Sequence, residues 1–105
     1  MKLNIRDIGT TIAERRFEGH ATGGVCTVVV KLGIPFPDAD NDGCWYCPYS
    51  ISKGSDQRLC YGAGVDSLQA LRIAISMIEV DLKSLYSDLR LTWMEDAELG
   101  LTGKA

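Results

Sequence analysis

Between Val65 and Leu89 apolar residues recur at three- and four-residue spacing: Leu68, Leu71, Ile75, Ile78, Leu82, Leu85 and Leu89. At roughly 100° per residue these share one face of an α-helix. Gln69, Arg72, Ser76, Glu79 and Lys83 fall on a polar face, and Ala70, Ile73, Met77 and Val80 form a second apolar stripe. A helix needing apolar cover on two sides must dock on something larger than itself. One stripe can meet a core and the other a partner. Asp66 or Ser67 can cap the start, because either side-chain oxygen accepts a free backbone N–H. Gln69, placed after Asp66, fits a capping-box variant.

The segments before the helix read as the sheet it docks on. Thr11–Glu18 is a mostly polar strand expected near an edge, and His20–Gly24 is a glycine-rich turn suited to a hairpin. Val25–Leu32 is rich in β-branched residues and puts Cys26, Val28, Val30 and Leu32 on one face. Gly33–Gly43 is a loop holding Pro35, Pro37 and three aspartates. Cys44–Lys53 returns as a strand with Trp45, Cys47, Tyr49 and Ile51 on one face; Pro48 points to an edge or bulge position. A turn at Lys53–Asp56 leads to a short fourth strand, Arg58–Gly62. After Leu89, the alternation Leu89, Leu91, Trp93 suggests an extended tail folding back, with Leu99 and Leu101 following before a polar end, Thr102–Ala105. The expectation is an α+β fold: a four-stranded antiparallel meander, one long C-terminal helix packed on it, and a short extended tail.

With 105 residues, 46% of them hydrophobic and 24% charged, the chain suits one globular domain, residues 1–105 with a core over about 11–101. A net charge of -3 and scattered basic residues argue against nucleic acid and anionic lipid as partners. The start, MKLNIRDIG, has no uninterrupted apolar core, and no stretch approaches the roughly 20 apolar residues of a membrane span. A cytoplasmic setting is expected, in which the four cysteines stay as thiols.

Two motifs invite metal chemistry. Asp38-Ala39-Asp40-Asn41-Asp42-Gly43 matches the first half of a calcium loop, where alternating oxygens converge and a glycine allows a sharp turn. The twelfth position should supply a bidentate Glu and holds Tyr49, and no helix flanks the loop. Cys44-Trp45-Tyr46-Cys47 has the spacing of a redox or zinc pair, with Cys26 and Cys60 as further thiols. On a strand, however, positions 44 and 47 face opposite ways, and buried cysteine often packs as a small hydrophobe. His20, the sole histidine, lies in a turn with no carboxylate placed beside it, which favours a surface residue over a general base. Gly62-Ala63-Gly64 before the helix could offer N–H groups to an anion, though relief of a tight strand-to-helix turn explains it as well. No GxSxG, P-loop, Rossmann or HExxH pattern occurs, so no catalytic residue and no cofactor is assigned.

Ile12-Ala13-Glu14-Arg15, Gly33-Ile34-Pro35, Cys47-Pro48-Tyr49 with Ile51, Tyr61-Gly62, Gly64 through Leu71, Leu91-Thr92-Trp93 and Leu99-Gly100 occur in that order. Together they resemble a bacterial family of small single-domain proteins carried as a domain of unknown function. The resemblance runs from about Ile12 to Gly100, and its most specific parts are the C-P-Y strand and the G-V-D-S-x-Q-A-L helix entry. It implies a stand-alone bacterial cytoplasmic domain and supplies no site residues. The chain departs from the pattern after Gly100, where similar proteins continue with Phe-Pro and this one has Leu101-Thr102.

The functional expectation is a non-catalytic binding or interaction module, engaging a protein partner or a second copy as a homodimer. The alternatives are a metal-binding protein, with zinc on Cys26, Cys44, Cys47 and Cys60 or calcium on Asp38, Asp40 and Asp42, and a small-molecule-binding protein or enzyme. The last would have a pocket around Trp45, Tyr46, Tyr49 and Tyr61.

Overall fold

The sheet is wider than the meander expected from sequence. The computed structural model describes residues 7–94 and 99–101; the start read for a leader (1–6) and the polar end (102–105) lie outside them. Six strands and one helix follow in order: β1 (Thr11–Ala21), β2 (Gly24–Gly33), β3 (Phe36–Pro37), β4 (Trp45–Lys53), β5 (Asp56–Gly64), α1 (Ser67–Leu85) and β6 (Arg90–Thr92). All pairings are antiparallel. Across the sheet the order is β5, β4, then β2 and β3 along one edge of β4, then β1, then β6. The four expected strands follow one another as a meander, but β3, inside the segment read as a loop (Gly33–Gly43), and β6, in the tail, widen the sheet beyond four. The partner of β6 is β1, with Glu18 opposite Thr92 and His20 opposite Arg90, so β6 covers only the Glu18–His20 end and the rest of β1 keeps the edge position expected of it.

Pro48 is internal, in β4 between β5 and the β2–β3 side. The turn explains how it is accommodated. A hairpin with only Gly54 and Ser55 between paired Lys53 and Asp56, and Gly54 at φ 60°, makes Lys53 and Asp56 a mutually hydrogen-bonded pair. Alternation along the ladder then makes Pro48 and Tyr61 a non-bonded pair, so the N–H that proline lacks would have pointed toward β2 and β3. There the ladder is interrupted, between Leu32 opposite Tyr49 and Phe36 opposite Tyr46. The break between β2 and β3 sits where β4 has no donor to offer.

The helix is shorter than its sequence pattern, ending at Leu85 instead of Leu89. Asp66 is the N-cap, its Oδ1 accepting the Gln69 N–H at 2.8 Å. The Gln69 side chain reaches back to accept from the Val65 N–H at 2.8 Å, one residue earlier than in a standard capping box. Ala70, Ala74, Ile78 and Leu82 are the buried positions. The seam thus takes Ile78 and Leu82 from one apolar stripe read from sequence and Ala70 from the other, and adds Ala74, which neither stripe included. Small residues on both sides bring the layers close: a Cβ on Gly62 would lie 2.4 Å from the Ala74 nitrogen, and one on Gly64 2.6 Å from that of Ala70. On the sheet side the core holds Phe17, Val28, Val30, Leu32, Cys47, Tyr49 and Ile51, the last three fully buried. Leu99 from the tail completes this core.

Candidate functional site

Helix α1 packs on β4 and β5 and leaves the β1–β2 half of that sheet face to other cover. The tail supplies it, and a groove remains between the two. Ala13, Val30 and Leu32 from the sheet, Ile75 and Ile78 from the helix and Leu101 from the tail line a cavity of about 200 Å³. The apolar lining continues outward along the helix through Leu71 to Leu68, which is 72% exposed.

Arg15 stands at the groove's rim and holds the tail. Its guanidinium lies over the Trp93 ring, and Nη1 donates to the carbonyls of Leu99 at 2.9 Å and Gly100 at 3.0 Å. Gly100 adopts φ 68°, and a Cβ there would lie 2.6 Å from Trp93. Three stretches far apart in sequence, around Arg15, Trp93 and Leu99-Gly100, thus close one latch. The sequence reading assigned Arg15 no role; the signal available was that all three belong to the resemblance.

The acidic loop is built inward. Asp38 is largely buried, its Oδ1 accepts the Asp40 N–H at 2.9 Å, and its Oδ2 accepts the Tyr46 hydroxyl at 2.7 Å. The Tyr46 bond, followed by the Asp40 N–H, holds the Asp38 carboxyl below its ordinary range. Asp40 and Asp42 are exposed. Asp38 therefore serves as a turn brace.

The cysteines are dispersed. Cys47 is buried under α1, its Sγ 3.7 Å from the Gly33 carbonyl, and burial pushes the thiol up to about 11. Cys44 lies beside the Tyr46 hydroxyl instead, and that contact, ahead of the Asp38 bond, raises the phenol. Cys26 contacts the Gly19 carbonyl at 3.6 Å, beyond the Lys53 end of the β2–β4 ladder, whereas Cys47 sits past its other end. Cys60 lies opposite Tyr49. Among the described residues no three His, Cys, Asp or Glu side chains come together as a metal-holding group.

The aromatic residues named for a pocket divide between the two sheet faces. Tyr49 is buried beneath α1 and donates its hydroxyl to Asp81 Oδ2 at 2.5 Å; burial first, then this bond, raises the phenol. Tyr46 and Tyr61 lie on the opposite face, edge to face at 5.1 Å, with Phe36 tilted against Tyr46 at 5.7 Å. His20 joins β1 to β6, its Nε2 3.1 Å from Thr92 Oγ1. Gly62 and Gly64 admit the helix, as the packing of Ala70 and Ala74 against them requires.

A family model described as Domain of unknown function (DUF6968) matches residues 13–103. No curated protein matches the chain, and no solved structure does.

Proposed function

Because the chain belongs to this family of unknown function, no activity comes to it from a relative, and we propose from its own geometry that it is a non-catalytic binding module. In this reading it works in the bacterial cytoplasm and takes an apolar stretch of a partner protein in the groove between α1 and the β1–β2 half of the sheet. One observation carries the proposal: through Ile75 the groove adjoins a second apolar surface at Leu71 and Leu68, the last of them exposed, with Arg72 and Asp66 at its border. Exposed apolar surface continuous with a cavity is characteristic of interaction sites. The tail, seated at the inner end with its carbonyls on Arg15, supports a polypeptide segment as the occupant.

Fluorescence of an anilinonaphthalene sulfonate dye tests this. The protein is expected to enhance the emission, and Leu68→Asp and Ala13→Glu, both at exposed positions, to remove most of the enhancement with circular dichroism unchanged. No enhancement, or enhancement untouched by both variants, would end the reading.

A further inference from the structure

The flank of α1 that turns away from the groove borders the far edge of the sheet. Ile75 and Ile78 point toward Val30 and Leu32 of β2, so the opposite flank stands on the β5 side. It carries Ile73, Met77, Val80 and Ser84, with Asp81 at its inner margin engaged by Tyr49, while Gln69, Arg72, Ser76, Glu79 and Lys83 belong to the polar outer face. A helix flank that meets only water is ordinarily charged. Val80 is 65% exposed. Beneath this flank β5, nine residues long, pairs with β4 along one edge and with no described strand along the other. It contains neither lysine nor proline, the residues that most often blunt an open edge.

We propose that this edge and flank form a two-fold interface with a second copy of the chain, β5 pairing antiparallel with β5 and α1 packing against α1. It goes beyond the groove reading, which uses the other flank. The backbone selects the register. From the bonded pair Lys53–Asp56, alternation directs the N–H and C=O groups of Gln57, Leu59, Tyr61 and Ala63 away from β4. The two-fold that pairs all of these puts Leu59 opposite Tyr61 of the second copy, Gln57 opposite its Ala63, and Cys60 opposite Cys60 on the axis. No like charges face each other in this register, since Asp56 meets only Gly64 of the second copy and Arg58 only its Gly62.

The helices fit as well. α1 begins over β5, where Ala70 and Ala74 touch Gly62, and passes over β4, where Asp81 accepts the Tyr49 hydroxyl. Its axis therefore averages about half a strand spacing inside the edge. Two copies place their axes roughly 9.6 Å apart, within the 8–10 Å at which helices pack. Ile73, Met77 and Val80 fill the seam.

Native mass spectrometry and light scattering on the full chain at micromolar concentration should find a dimer. Mild oxidation should link the two chains through Cys60, a bond kept in Cys26→Ser and Cys44→Ser and lost in Cys60→Ser. Val80→Glu, which buries like charges on the axis side, should weaken the dimer about tenfold or more with circular dichroism unchanged. A monomer throughout that range, a dimer indifferent to Val80→Glu, or one whose oxidation links through another cysteine or none overturns the proposal. Leu68→Asp should leave the dimer intact, so the groove and the edge fail separately.

Discussion

The guanidinium carbon of Arg15 lies 3.7 Å from the centre of the Trp93 ring, while the same group binds the Leu99 and Gly100 carbonyls. One side chain from the first strand thereby fixes the last described residues over the core. Arg15→Ala should cost about 2 kcal/mol in urea unfolding, from a partly exposed cation–π contact and two charge-assisted hydrogen bonds. Arg15→Lys should recover little, because a point-charge ammonium lacks the planar fork that stacks and donates together. Gly100→Ala should cost a similar amount, and the double variant less than the sum, since both loosen one latch.

Tyr49 offers a fully buried hydroxyl from the sheet to the helix at Asp81. Tyr49→Phe leaves that carboxylate without its donor and should destabilise the fold by about 1–2 kcal/mol. Asp81→Asn keeps an acceptor for the hydroxyl and should cost less. Chemical denaturation of the two variants side by side checks the order.

Gly62→Ala puts a methyl against the helix backbone, 2.4 Å from the Ala74 nitrogen and 2.9 Å from the Ala70 oxygen. Neither atom can rotate away, so the layers must separate, at a cost of about 3 kcal/mol. Gly23→Ala, in open space and without a positive φ, should be close to neutral. Equal losses at both sites in thermal unfolding would contradict the close helix–sheet approach.

Stability should fall at both ends of the pH scale for separate reasons. The Cys47 thiol ordinarily ionises near 9.0 and in the fold near 11. The unfolded chain therefore releases its proton first, and stability declines from pH 9 to 11; the raised Tyr49 phenol extends that decline. Asp38 is lowered from 3.8, so its contribution is present above that value and lost as pH falls through the folded range. Urea midpoints across pH should show a shallower alkaline slope in Cys47→Ala and a shallower acid slope in Tyr46→Phe.

The elements that declare themselves in the sequence are those with local causes. The helix start was legible because Asp66 and Gln69 act within one turn, and the faces of β2 and β4 because alternation survives in Val28–Val30–Leu32 and Cys47–Tyr49–Ile51. The helix end was not, since Leu85 and Leu89 keep the spacing across Tyr86, whose φ of -122° has already left the helix. Pro48 reads as an edge signal until the missing donor is matched with a gap in the neighbouring ladder, a relation between distant residues. The groove shares that character. Arg15 acquires its role only when Trp93 and Gly100 arrive beside it, and no local pattern announces a meeting across 85 positions.

The pairing of β6 with β1 has a consequence for synthesis. His20 and Thr92 are 72 residues apart. At translation speeds of 5–20 residues per second, β1 leaves the ribosome on the order of 4–14 s before the strand that covers it. The hairpin with β2 can form early, but its outer side stays an open template for all that time. The polar surface of β1, with Glu14, Arg16, Glu18 and His20 alternating along it, keeps that template soluble while it waits.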